Sequence, residues 1–561
     1  MLGALGAAAL SAQAGGDIRT AFIGVGIRGK SLVPQVLEQR NTRVTAICDI
    51  DPNARDAGLT LAKRDSPRAF TDWKAMLDFR DIDAIVIATP CYLHAEMAAA
   101  ALQAGKYVYC EKPMGITPED VQTVLNASRR SKSFLQIGQQ LRYFPVVREA
   151  VRQVHAGELL GRTLVIKAQR DSLPISPEAA ARRPAWYKDV RYSGDLIVEN
   201  AIHNIDVCNW IADSRPVAAF GHGMKYFPQP RWAGREMMDG FSVEYVYLNG
   251  IHLDYSQLYM HPRGLRRMAN GQWYVVYGQK GALDMTDESA EFCEMNSTQP
   301  RDIIPASLKA GKENAVEEFY ACIRENRRPF ADVQVGATAA LTAIMGRESI
   351  YRGRSVTWDE LGVSLMPSGP TSYPSPGFVS LMPTRDISEH WTVEGAPSSI
   401  WRVAGGEIAC EGKPNGFLRS IRAYRNYVLR AEWRFRKQGW VAGRDDEGWP
   451  NAGFFIHANE TVNDWPKSFE VQGHFGEAGS LFGIQGASIK GAKRGVIVRD
   501  RPLFGDWDRY EITSQNGKVT VRLNGEIVNE GYEAKPAQGN ICLQSEGWEV
   551  HYRNIEIQEL P

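Results

Sequence analysis

The chain has 561 residues, 44% hydrophobic and 23% charged, an ordinary globular composition that at roughly 100–200 residues per domain predicts about three domains. Lys and Arg total 65 and so do Asp and Glu, so no bulk field draws the protein to nucleic acid or to an anionic membrane. The eight cysteines are scattered, with no C-x-x-C pair and no Cys/His cluster at ligand spacing, which argues against a disulfide framework and a zinc site.

Residues 1–16, MLGALGAAALSAQAGG, are apolar but too short to span a bilayer, and Ala12-Gln13-Ala14 offers an A-x-A cleavage site. The segment resembles the tail of a bacterial export signal and predicts a periplasmic protein, exported folded by a twin-arginine route, with a cytoplasmic one as the alternative.

Residues 17–140 read as a nucleotide-binding α/β domain. The stretch 19–50 parses as strand, glycine turn, helix and second strand ending at Asp49. Gly24, Gly26 and Gly29 form G-x-G-x-x-G directly after the first strand, with Ile27 and Arg28 between them. The first glycine permits a tight turn, the second lets backbone approach a pyrophosphate, and the third lets helix pack on strand. Asp49 lies 20 positions beyond Gly29, where an acid accepts hydrogen bonds from ribose hydroxyls and repels a 2′-phosphate. NAD is the expected cofactor, while Arg28 and Arg55 leave NADP open. The apolar run 83–90 reads as a parallel strand buried on both faces. Strand ends of this kind collect ligands, so Thr89, Pro90, His94, Glu111 and Lys112 are expected to line one crevice. Thr117 reads as the N-cap of the next helix, with Pro118 in its first position.

In this order and spacing, G-x-G-x-x-G, Asp49, T-P-x-x-x-H (Thr89, Pro90, His94) and E-K-P (Glu111, Lys112, Pro113) resemble the Gfo/Idh/MocA family of sugar and cyclitol oxidoreductases over residues 18–360. The resemblance implies that Lys112 hydrogen-bonds the reacting hydroxyl. It also implies a D-x-x-x-H pair opening a later helix. Here His203 matches the histidine, and Glu199 stands where aspartate is usual. The i,i+4 spacing puts both on one helical face if the helix begins early enough, with Asp206 three residues on. A histidine near neutral pKa can take a hydroxyl proton and a lysine can stabilise a developing alkoxide.

Residues 141–362 are expected to form an α+β domain with a mostly antiparallel open sheet, often a subunit interface in the family, so a homo-oligomer is expected. Arg142, Tyr143, Arg170, Trp186 and Tyr192 are candidate sugar contacts, since carbohydrate sites combine charged donors with aromatic faces. Residues 363–376, rich in Pro, Ser and Gly, read as a linker.

Residues 377–561 change to short period-2 segments separated by turns such as Asn516-Gly517 and Asn524-Gly525, the pattern of an all-β sandwich. Polar residues alternate with apolar ones in 427–435, 468–475 and 541–546. If these strands are neighbours, one face presents Arg430, Glu432, Arg434, Glu470, Gln472, His474, Gln544 and Glu546. The segments YVLRAEWRF, SFEVQG, GNICLQSEG and others, with Asn451-Ala452-Gly453, are similar to the 3-keto-disaccharide hydrolase family, which implies a concanavalin-like jelly roll.

The fold class expected is thus an α/β Rossmann domain and an α+β domain, followed by an all-β jelly roll. Together the resemblances imply NAD-dependent oxidation of a glycoside hydroxyl, at C3, coupled to cleavage of the 3-keto glycoside. Two alternatives stand: a dehydrogenase with a carbohydrate-binding appendage, and a non-catalytic sugar-binding protein. No ligand spacing diagnoses a divalent metal.

Overall fold

The computed structural model describes residues 16–171, 183–226, 237–247, 250–259, 271–363, 365, 375, 377–404, 406–435, 450–474, 476–496 and 507–561. Residues 1–15 of the expected export segment and most of the expected 363–376 linker lie outside them. The chain divides into two compact units, Met1–Leu365 and Met366–Pro561.

The first unit opens with six strands: β1 (Ile18–Ile23), β2 (Thr42–Cys48), β3 (Arg68–Phe70), β4 (Ala84–Ile87), β5 (Tyr107–Cys110) and β6 (Leu135–Ile137). They pair in parallel in the order β3-β2-β1-β4-β5-β6. The AIVI run of β4 is wholly buried, as helices on both faces require. The order reverses between β1 and β4, the place where open α/β sheets receive ligands. Helix α1 (Ile27–Leu37) starts at Gly26 and buries Leu32, Val33 and Val36, with no acid in its first turn to occupy the free amides. Thr117 and Asp120 form a reciprocal capping box on helix α2 (Pro118–Arg130), with Pro118 at its start, as the sequence predicted.

The same unit continues into a nine-stranded sheet whose first strand is β7 (Thr163–Asp171). Its neighbours include β8 (Pro216–Met224), β9 (Gly240–Tyr247), β10 (His252–Leu258) and β11 (Gly271–Gly278). Most pairs are antiparallel, but β7 and β10 run parallel at the centre. In β9, Phe241, Val243, Tyr245 and Tyr247 are buried while Ser242, Glu244 and Val246 are exposed, the alternation of a sheet covered on one face.

The second unit is a sandwich of a larger sheet carrying Tyr427–Phe435, Asp508–Gln515 and Val550–Glu559 and a six-stranded sheet carrying Gly453–Ala458, Ser468–Gln472, Leu481–Ile484 and Gly539–Ser545. Aromatic side chains lock the two together. Trp433 stacks on Tyr510 at 4.3 Å, and Phe454 of the other sheet meets Trp433, Tyr510 and Tyr552 edge-on, each at 5.6 Å. Offset and edge-to-face geometry adds about 0.5–1.5 kcal/mol per pair beyond burial. The expectation that the polar faces of 427–435, 468–475 and 541–546 share one sheet is therefore corrected: the first strand belongs to one layer and the other two to the opposite layer. Period-2 alternation fixes which residues share a face of a strand, but not which sheet receives the strand.

Candidate active site

The glycine turn is built as its spacing requires. Gly24 has φ +86°, and a Cβ on it would lie 2.7 Å from the Ala88 carbonyl oxygen. A Cβ on Gly29 would lie 2.2 Å from the Gly24 carbonyl oxygen, whereas one on Gly26 would meet nothing within 4 Å. Two glycines thus serve packing, and the third leaves backbone open at the start of α1. Ile27 beside it is 79% exposed. Asp49 caps the turn: its Oδ2 accepts from the Val25 N–H at 2.8 Å and its Oδ1 from the Asp51 N–H at 2.9 Å. Arg55 Nη1 reaches the Asp49 carbonyl oxygen at 3.3 Å.

Arg28 does not face Asp49. Its guanidinium donates to Glu111 Oε1 at 2.7 Å and to Gln140 Oε1 at 3.0 Å, so it links the glycine turn to the E-K-P segment. Its pairing removes one of the two reasons for leaving NADP open. Glu111 is buried, 6% exposed, and its carboxylate is engaged by Arg28. His94 is also corrected: its ring nitrogens lie 2.7 Å from the Pro113 carbonyl oxygen and 2.9 Å from that of Thr89. The ring is 1% exposed and braces the ends of β4 and β5 rather than facing a ligand.

Lys112 and Glu199 meet. Lys112 Nζ donates to the Glu199 carbonyl oxygen at 2.5 Å and to its Oε1 at 3.0 Å, both side chains being 13% exposed. Burial pushes the Lys112 pKa down, but the negative charge of Glu199 and its other acidic neighbours outweighs this and holds it above the ordinary lysine value. His203 sits beside the pair. Burial, then the cations Lys112, Arg170 and Arg28, hold its imidazole well below the ordinary value, so at neutral pH it is an uncharged base. Glu199 Oε2 and His203 Nδ1 are buried without a hydrogen-bond partner. Such atoms are costly unless a ligand satisfies them.

The two residues do not share one helix. Glu199 ends a short helix, Leu196–Glu199, capped by Asp195, and His203 lies in the first turn of the next, α3 (Ile202–Ala212). The break at Asn200 and Ala201 turns both toward Lys112, where unbroken i,i+4 spacing would have been the simpler route.

The sugar-contact candidates divide. Arg170 stays near the site, its Nη1 3.4 Å from the Asn200 carbonyl oxygen and from Asn204 Oδ1. Arg142 is corrected: it forms a buried ion pair with Asp206 at 2.7 Å and lies over the Trp210 ring at 5.1 Å. Tyr143 is fully buried and its hydroxyl accepts from the Ala331 N–H at 3.0 Å. Both are core residues, since the segment 140–143 folds inward as a short helix. Trp186 packs edge-on to Tyr187 at 5.8 Å, and Tyr192, 40% exposed, lies against Tyr92 at 4.8 Å. Tyr187 and Tyr259, hydrogen-bonded to each other and close enough to feel the charge of Glu199, were not singled out from sequence. The A-W-Y-K segment held a signal, but the more exposed Trp186 drew attention first.

In the second unit, Glu470, Gln472, Gln544 and Glu546 gather on the outer face of the six-stranded sheet, opposite the face that carries Phe454. Glu470 Oε1 and Gln544 Oε1 both lie over Gly453, 3.2 and 3.0 Å from where a Cβ would stand. Burial, then Glu546, push the Glu470 carboxyl up to about 7, against the pull of Arg494, Gln544 and Gln472. Burial also raises Glu546. Arg494 lies over Phe482, which pairs across strands with Glu470. His474 lies past the strand end, where its Nδ1 accepts from the Gly476 N–H at 3.1 Å and its own N–H donates to Gln472 Oε1 at 2.9 Å. Glu432 and Arg434 leave this group. Glu432 pairs with Arg553 at 2.7 Å and Arg434 with Glu407 at 2.9 Å on the other sheet, and both guanidiniums stack on Trp507. There they are bound to structural partners.

Comparison with known proteins bears on the family and the fold. Residues 18–139 match a family model for an oxidoreductase family with an NAD-binding Rossmann fold, residues 152–358 match that family's C-terminal alpha/beta domain, and residues 377–558 match a 3-keto-alpha-glucoside-1,2-lyase-like domain. Inositol 2-dehydrogenase from Salmonella typhimurium is 28% identical over 35% of this chain and 54% of its own length. A glycosyl hydrolase family 109 protein from Stenotrophomonas maltophilia is 32% identical over 28% of this chain and 36% of its own. The chain thus spans about half the length of the inositol dehydrogenases it matches. Among solved structures, a levoglucosan dehydrogenase in complex with NADH shares the fold over 61% of this chain and 99% of that one, with a TM-score of 0.52 and 19% identity. Its first unit places this chain in the Gfo/Idh/MocA family of oxidoreductases, joined here to a domain of the 3-keto-disaccharide hydrolase family.

Proposed function

We propose that the protein oxidises a secondary hydroxyl of a glycoside, at C3, using NAD, and that its second unit cleaves the resulting 3-keto glycoside. The observation that carries this reading is the Lys112–Glu199 ion pair beside an uncharged His203 near the crevice of a parallel sheet. The NADH bound by levoglucosan dehydrogenase and the glycosyl hydrolase name of the Stenotrophomonas relative support the cofactor and the substrate class.

The residues present fit a dinucleotide. The open backbone at Gly26 and the uncapped N-terminus of α1 suit a pyrophosphate, and Asp49 suits ribose hydroxyls and disfavours a 2′-phosphate. NAD, when bound, supplies a two-electron acceptor for the carbinol carbon. His203 takes the hydroxyl proton, which its depressed pKa permits at neutral pH. The Lys112 ammonium donates to the reacting oxygen and stabilises the charge that develops there. Glu199 keeps Lys112 charged and aimed, and its unpartnered Oε2 accepts from a neighbouring sugar hydroxyl.

A carbonyl at C3 acidifies the C2 proton, so removing that proton expels the aglycone from C1, and water then adds to the enone. The second unit supplies this elimination and hydration. The exposed row Phe220, Met224, Val246 and Tyr277 on the open face of the nine-stranded sheet supports self-association there.

The test is incubation of the full chain with p-nitrophenyl glucoside, with and without added NAD, after removal of any bound nucleotide. Phenolate release should require NAD and vanish in Lys112→Ala. Release without nucleotide, or unchanged release in that variant, refutes the proposal.

A further inference from the structure

The outer face of the six-stranded sheet holds more polarity than a solvated surface needs to bury. Glu470 is 7%, Gln472 9% and Gln544 2% exposed, yet Glu470 has no cation paired to it at salt-bridge distance among the described residues. Buried carboxylates are ordinarily paired or neutral. Gln544 Oε1 is buried with no hydrogen-bond partner, and it points over Gly453 beside Glu470 Oε1. An unsatisfied amide oxygen and a carboxylate with no paired cation, both over Gly453, leave a place for a donor-rich ligand.

The floor around that place suits a sugar ring. Phe455 pairs across strands with Glu470 and Phe417 with Gln544; both are wholly buried and pack against Trp465, which stays partly open on this face. Polar groups beside aromatic faces are the two surfaces a pyranose presents partners for. Arg494 adds a positive charge at the edge.

Resting on the reading above that this unit cleaves 3-keto glycosides, we propose that Glu470 takes the C2 proton and that the neighbouring Glu546 acts through it as a positioning residue. The C2–H bond breaks and its proton goes to the Glu470 carboxylate. The electron pair forms the C1–C2 double bond as the C1–O bond breaks, and the departing aglycone oxyanion takes a proton from water. The hydroxide so formed adds to C1 while Glu470 returns its proton to C2. No oxidant is consumed, and the carboxylate ends as it began. The like charge of Glu546 makes Glu470 the stronger base of the two.

The experiment gives the full chain a 3-keto glucoside prepared beforehand, so the first unit is bypassed. Wild type should release p-nitrophenol from the 3-keto nitrophenyl glucoside and exchange the C2 proton of 3-keto-1,5-anhydroglucitol, which has no leaving group, with deuterated water. The exchange rate should rise through pH about 7. Glu470→Gln should lower both rates about 100-fold or more and abolish the pH rise. Glu546→Gln removes the like charge, so it should keep the exchange but move its pH rise toward acid. If wild type is inert on every 3-keto substrate, the functional reading falls. If wild type is active and Glu470→Gln exchanges C2 normally, or Glu546→Gln leaves the pH rise where it is in wild type, the assignment falls while the reading stands. Should Glu470→Gln lack native near-UV circular dichroism, Glu470→Asp takes its place, and an exchange rate equal to wild type overturns the assignment.

Discussion

Replacing Glu470 with Gln should stabilise the protein at alkaline pH and leave it unchanged in acid. The carboxyl is pushed from 4.5 to about 7 by burial and by Glu546, so the folded state holds its proton where the unfolded chain has already released it. The linkage sign follows: between pH 4.5 and 7 the native state binds more protons, and stability falls as pH rises. At 1.36 kcal/mol per pH unit, the loss accumulates to about 3 kcal/mol once the group is ionised in both states. Gln has the same shape and no charge to desolvate, so it escapes that loss. Urea unfolding followed by tryptophan fluorescence should show the variant equal to wild type near pH 4.5 and more stable by up to about 3 kcal/mol at pH 8. A variant less stable than wild type at pH 8 would mean that Glu470 is held by a compensating partner, and the reasoning about its burial would be wrong.

The glycines of the nucleotide turn should separate by role. Gly29→Ala, whose Cβ would fall 2.2 Å from the Gly24 carbonyl oxygen, should lose about 1–3 kcal/mol of stability, read as a lowered melting temperature. Gly26→Ala, with open space around its Cβ, should keep its stability but bind NAD more weakly by calorimetry. Arg142→Met should destabilise by about 3–5 kcal/mol, because it strands the Asp206 carboxylate, 1% exposed as a side chain, in the core. Thermal unfolding checks this, and the glycoside KM of the folded fraction should not change.

The Rossmann sheet, its glycine turn and the capping box of α2 were legible because each rests on local rules: buried parallel runs, a turn that only glycine fits, and a cap four residues long. Lys112, Glu199 and His203 were legible from motif order, although the structure brings Glu199 to the site through a helix break that spacing does not encode. Arg142 and Tyr143 misled because an Arg-Tyr pair on a loop reads the same whether it faces a ligand or a core. What decided it was Asp206, 64 residues away. In the second unit each strand's alternation was read correctly, but the assignment of strands to layers depends on pairings between residues as distant as Tyr427 and Glu559. That is why Glu432 and Arg434 were grouped with Glu470 and are not found beside it.

Oxidation at C3 by the site around Lys112 and His203 is tested most directly by mixing the NAD-loaded full chain with methyl glucoside carrying deuterium at C3 alone or at C2 alone, and following NADH fluorescence. Slowed NADH formation and deuterated NADH are expected from the C3-labelled sugar only. Label transfer from C2, or no reduced nucleotide from either sugar, would contradict it.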